Sequence, residues 1–218
     1  MRGFFKRRRS LPLQYYVYIS QSKLDVLIPQ LPESRLSPLT ANIQVSMGVV
    51  AASVGKSDKA ASPELSAKAR VLTHYLESQD WVGSLADPGR YVRDVASLRH
   101  GVMEDYGASL AVFVGVVNGL KLALIGSPAS LVGTAADADA NHSVDYYLLR
   151  FLSEAADALP SEDDLSASER QFFEHAIGRA LNVGLSLPTS LRLEFLAKPL
   201  FHADGVLVAT PIWVALAD

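Results

Sequence analysis

Several stretches of the chain carry residue types at spacings that chemistry uses, and none completes its motif. Residues 48–57 read GVVAASVGKS. Gly-Lys-Ser after a strand-like run is the end of a phosphate loop, which aims backbone N–H groups, a lysine and a hydroxyl at a triphosphate and its magnesium. That pattern needs glycine where Val50 stands and a helix beginning at the lysine, whereas the next helix starts at Ser62-Pro63. A solvated turn is the better reading. Asp137, Asp139 and Asn141 alternate like the first oxygen ligands of a calcium loop, but the sharp-turn position holds His142 and the bidentate glutamate position holds Leu148. An acidic loop before a helix accounts for them, and no metal is expected. The histidines, His74, His100, His142, His175 and His202, show no paired spacing of the metalloprotease kind. Serine nucleophiles commonly announce themselves as G-x-S-x-G, which does not occur. The nearest candidates are Ser127 and Ser130, in the small-residue loop GSPASLVG over 126–133. Pro128 removes one backbone donor that an anion cradle would use, so the loop reads first as a turn and second as a ligand site. No cofactor is expected.

The whole-chain numbers bound these readings. The 218 residues carry 20 Lys+Arg against 23 Asp+Glu, 49% are hydrophobic, and there is no cysteine. One domain is the default at this length, and disulfides, thiolate metal sites and cysteine nucleophiles are excluded. Arg2, Lys6, Arg7, Arg8 and Arg9 make the start basic and leave an acidic body. Nucleic acid is therefore not expected as a partner, since its recognition favours a basic face. Residues 1–14 read as a flexible basic tail, with weak contact of Lys6, Arg7, Arg8 and Arg9 with an anionic membrane as the alternative. No apolar stretch of signal-peptide length follows them, so a cytoplasmic location is expected. The uncharged stretch around 106–136 is broken by glycines and Pro128, which suits buried strands better than a membrane helix.

The elements that would position these residues follow from periodicity. Residues 15–20 are aromatic and β-branched, a strand, and Leu24, Leu27, Ile28 and Leu31 then recur at helical spacing with Ser22 and Asp25 as a capping pair. Pro29 should kink or end that helix. Residues 42–54 form an apolar, β-rich run. Ser62-Pro63-Glu64 opens a second helix to about Gln79, with Leu65, Ala69, Leu72 and Leu76 on one face. Strands are expected over 91–102, 108–117 and 120–125, the last two joined by Asn118-Gly119, the strongest short hairpin signal. Helices are expected over 144–155 and 166–181, the latter opened by the capping box Ser166-Ala167-Ser168-Glu169. Strands around 191–195 and 206–216 close the chain. The prediction is a single α+β domain over 15–218, with a largely antiparallel sheet and about four helices.

Both ends of the chain resemble a known family. Tyr16-Val17-Tyr18-Ile19-Ser20, then Lys23-Leu24-Asp25-Val26-Leu27-Ile28-Pro29-Gln30-Leu31, is similar to the Tyr-Val-Tyr-Val-Ser strand and K-V-D-x-L-x-P-Q-I segment of an uncharacterised actinobacterial family, a domain of unknown function. Thr210-Pro211-Ile212-Trp213-Val214-Ala215-Leu216-Ala217 resembles its G-T-P-L-Y-V-A-L-A ending, with Ala209 and Trp213 departing from it. The segments 124–133 and 145–152 look like its central parts. The resemblance implies no established activity; it implies an association with bacterial signalling or conflict systems, which suits an accessory sensor or adaptor. If members share a site, it implies the polar cluster Ser20, Lys23, Asp25 and Gln30 around the short helix, which helix capping and a surface ion pair would also explain.

The leading expectation is a non-enzymatic cytoplasmic module that binds a small ligand or a protein partner, through Ser20, Lys23, Asp25, Gln30, Ser127 and Ser130. The alternatives are an enzyme whose groups converge only in the fold, around residues 126–133 with Arg93 or Arg99, and a peripheral membrane protein.

Overall fold

The computed structural model describes residues 14–32, 34, 63–105, 108–133, 178, 190–203 and 205–217. The described elements run β1 (Tyr16–Ile19), α1 (Gln21–Leu27), a 3-10 turn (Ile28–Gln30), α2 (Pro63–Ser78), β2 (Val82–Gly83), β3 (Tyr91–Asp105), β4 (Ala108–Val117), β5 (Leu120–Gly126), a second 3-10 turn (Pro128–Ser130), β6 (Ser190–Ala203) and β7 (Val206–Leu216).

Local signals account for most boundaries. Pro29 cannot donate to a helical bond, and α1 stops at Leu27 and tightens into the 3-10 turn. The residue flanking α1 is Ser20, not Ser22, and its side chain makes no cap bond. This corrects the expected capping pair: Ser22 lies inside the first turn and shares a hydroxyl–hydroxyl bond of 3.3 Å with Ser20. Pro63 opens α2, whose buried residues Ala69, Leu72, Thr73 and Leu76 form one face. Asn118 and Gly119 take φ of 51° and 85°, the left-handed pair that a two-residue hairpin turn needs.

The sheet is sheet-dominated α+β as expected, but it closes. Pairings run β3–β4, β4–β5, β5–β7, β7–β6 and β6–β3, so five strands form a barrel without a free edge. Four of those pairings are antiparallel; β5 and β7 run parallel, Lys121 to Leu124 opposite Val206 to Ala209. β1 and the two-residue β2 add to the flanks of β7 and β3. Two α-helices occur among the described residues rather than four; the helices expected over 144–155 and 166–181, and the run over 42–54, lie outside them. The basic tail through residue 13 also lies outside, and Gln14 belongs to the fold, its Nε2 donating to Glu194 at 3.1 Å.

The barrel interior is filled by Val92, Ala96, Leu98, Phe113, Leu122, Leu124, Leu193, Phe195 and Leu207, with Tyr18 reaching in from β1. A second core lies where α1 and α2 cover one flank and is centred on Trp213, with Tyr16, Leu24, Leu72, Leu76 and Leu196. β7 serves both, and ten consecutive residues of it are buried, as a strand covered on both faces should be.

Candidate functional site

The pairings of β7 create a fork. β5 runs beside β7 up to the level of Ala209 and then leaves it, while β1 pairs antiparallel with β7 from Ala215 to Trp213. The Ser20 N–H continues that pairing by donating to Ile212 O at 2.8 Å. The carboxyl ends of β1 and β5 thus meet head to head along β7, with Thr210 and Pro211 at the floor of the gap. Each strand ends in serine, Ser20 after β1 and Ser127 after β5. Beyond Ser127 the 3-10 turn brings Leu131 back to bridge Tyr18, and Val132 N donates to Val17 O at 3.0 Å, which ties the two prongs together.

The Tyr18 side chain lies in this fork, fully buried. Its ring meets Phe113 edge-on at 5.8 Å and crosses Gly126 so closely that a Cβ there would lie 2.7 Å from its Cζ. Glycine at 126 is thus required by the approach of a side chain. Burial raises the Tyr18 pKa above 10.0, opposed by Ser130, the backbone of Ser127, and Ser20. Those groups surround the phenol, yet none makes a hydrogen bond of normal geometry to it, and the hydroxyl has no partner. The Thr210 hydroxyl, at the floor, is likewise buried without a partner. Leaving a buried hydroxyl unmatched costs about 1–3 kcal/mol, so two at one place mark a structure built to meet something else.

The fork sorts the residues singled out in the sequence. Ser20, Ser127 and Ser130 come together around Tyr18, with Ser20 buried and the other two half-buried. Ser127 Oγ accepts from Ala129 N at 3.3 Å, capping the 3-10 turn. Asp25 and Gln30 lie on exposed positions instead: Asp25 pairs with Lys68 at 3.1 Å, and Gln30 Nε2 donates to Val26 O at 2.8 Å. Lys23 is half-buried, its Nζ enclosed, and it is engaged in an interaction of its own. Because Asp25 and Lys68 are solvated, Asp25→Ala should change unfolding free energy by under about 1 kcal/mol in urea titrations and leave the fork intact. Tyr18 and Thr210 were missed because they stand in apolar strands that read as core. The available signal was that a buried tyrosine hydroxyl needs a partner and a strand neighbour supplies none.

A second polar cluster locks the helical flank. Arg93 donates through Nε to Glu194 at 2.9 Å and through Nη1 to Glu77, and lies 5.7 Å over the Trp213 ring. Trp213 Nε1 donates to Thr73 Oγ1 at 2.9 Å, and Tyr16 donates to Gln14 at 2.7 Å. Arg93 is therefore committed to structure and not to the 126–133 loop.

Burial also raises Tyr16, with Arg70 opposing and Glu194 assisting, and it raises Tyr91, with Arg90 opposing. A folded-state pKa above the unfolded value stabilises fully below the unfolded pKa and is lost as pH rises through the folded one. Unfolding midpoints in urea should accordingly hold through neutral pH and fall above about pH 10, with a class of tyrosines whose tyrosinate absorbance appears only on unfolding. A flat midpoint through about pH 11 would contradict the burial of these phenols.

Among the described residues no His, Asp or Glu makes a hydrogen bond to Ser20, Ser127 or Ser130, no group of three such residues could hold a metal ion, and no helix is long and apolar enough to cross a membrane. Fold and site together define a small closed β-barrel with a helical flank and a hydroxyl-lined fork beside one strand. The chain belongs to the family of unknown function DUF7019, whose model matches residues 14–218. No curated protein and no solved structure matches it.

Proposed function

We propose that the protein is a non-enzymatic cytoplasmic binding module, a sensor or adaptor of a signalling or conflict system, and that the fork beside β7 is its ligand site. The observation that carries this reading is the pair of buried, unpartnered hydroxyls, Tyr18 and Thr210, placed where the ends of β1 and β5 diverge from a shared strand. Clefts between diverging strand ends are where sheets commonly hold ligands. Catalysis is the weaker reading, because a serine nucleophile needs an adjacent base, and the groups around Ser127 are hydroxyls and backbone. The signalling role rests on the family resemblance of the two termini.

The test is a native mass spectrum of the protein purified gently from its own host, alongside Tyr18→Phe. The expected result is a small added mass that the substitution removes while the far-ultraviolet circular dichroism stays unchanged. Turnover of any substrate that disappears in Ser127→Ala, with the fold intact, would overturn the non-enzymatic reading.

A further inference from the structure

We infer that the fork recognises an uncharged hydroxyl group, the edge of a small polyol or sugar. This rests on the fork being a ligand site, and the reasons for the class lie in the groups that line it.

Every side chain around the gap is a neutral hydroxyl: Tyr18, Ser20, Ser127, Ser130 and Thr210. Each can both donate and accept. Ser127 Oγ already accepts from Ala129 N, so its proton is directed outward as a donor. Tyr18 and Thr210 have donor and acceptor capacity unspent. The complement of such a set is a group that also gives and takes a hydrogen bond, and an alcohol is the smallest that does. A carboxylate or phosphate would use only donors and an ammonium only acceptors, and either would enter a buried place that offers no opposing charge. The nearby cations are occupied: Arg93 by Glu77 and Glu194, Lys68 by Asp25 and Glu64, and Lys23 by an interaction of its own. The gradient from buried Tyr18 and Ser20 to half-buried Ser127 and Ser130 gives the group a way in from solvent.

The experiment is an amide-correlation NMR titration of the full chain with matched pairs: glycerol against glycerol 3-phosphate, and glucose against gluconate. The uncharged members should shift the Gly126, Ser127, Ser130 and Leu131 amides saturably, and the charged members should not. Tyr18→Phe and Thr210→Val should each weaken that binding at least about tenfold, the loss expected when a buried hydrogen-bonding group is left unmatched. Ser127→Ala, at a half-buried position, tests the same contact if the core variants do not fold. Saturable shifts of these amides by the charged members alone would overturn the class and leave the ligand-site reading standing. Shifts that only grow in proportion to concentration, with a crystal structure in which water alone meets Tyr18 and Thr210, would overturn both.

Discussion

Gly126→Ala should destabilise the protein by about 3 kcal/mol, the upper end of what overpacking costs, and should abolish binding at the fork. The new methyl would lie 2.7 Å from Tyr18 Cζ and closer still to its hydroxyl oxygen. The clash has two exits. Either the ring withdraws, giving up its edge-on contact with Phe113 at 5.8 Å and straining the β1–β7 register, or β5 bends away from its parallel pairing with β7. Both open the closure of the barrel where it is least redundant. At this chain length the loss corresponds to a fall of about 10 °C in Tm. Because the hydroxyl oxygen is the nearest atom, Tyr18→Phe in the same chain should recover part of the loss, so a double-mutant cycle should show coupling of about 1 kcal/mol or more between the two positions. Additive effects would mean that Tyr18 does not lie across the end of β5, and the fork would lose its central group.

The other large effect is expected on the opposite flank. Trp213→Ala should cost about 3–5 kcal/mol, as truncation of a fully buried aromatic does. The indole is 1% exposed, meets Tyr16 edge-on at 5.8 Å and carries the Arg93 guanidinium above it. Thr73 would not be orphaned, because its hydroxyl still donates to Ala69 O at 2.7 Å, so the loss comes from the ring and the cavity it leaves. Trp213→Phe keeps most of the volume and gives up the N–H bond to Thr73. It should therefore cost about 2 kcal/mol less than alanine, read from urea midpoints at constant slope. Equal costs for the two variants would show that the Trp213–Thr73 bond, and not the packing, holds α2 to the barrel.

These two predictions concern faces of one strand, and β7 shows what the sequence made legible. Its near-continuous apolar run announced burial on both sides, Asn118-Gly119 announced a hairpin, and Ser62-Pro63-Glu64 announced α2, because each is a local preference of backbone or side chain that neighbours in the chain satisfy among themselves. The serines were legible as types: Ser127 and Ser130 stood out in a small-residue loop, and Ser20 stood beside Lys23, Asp25 and Gln30. Which of them would meet was not. Asp25 and Gln30 are as polar as Ser20 and nearly as close in sequence, yet α1 turns them to solvent and leaves Ser20 beside Tyr18.

By itself, then, the sequence determined which side chains must leave water and where the chain must turn, since hydrophobic burial and turn geometry are written in residues a few positions apart. Only the tertiary structure decided that β5 lies parallel to β7, that β6 returns to β3 and closes the barrel, and that two strand ends meet over Thr210. Pairings between residues about 85 apart in the chain, such as Lys121 with Val206, leave no mark in either segment. A strand's apolar face records that it is covered and not by what, and the fork exists only because two such strands share β7.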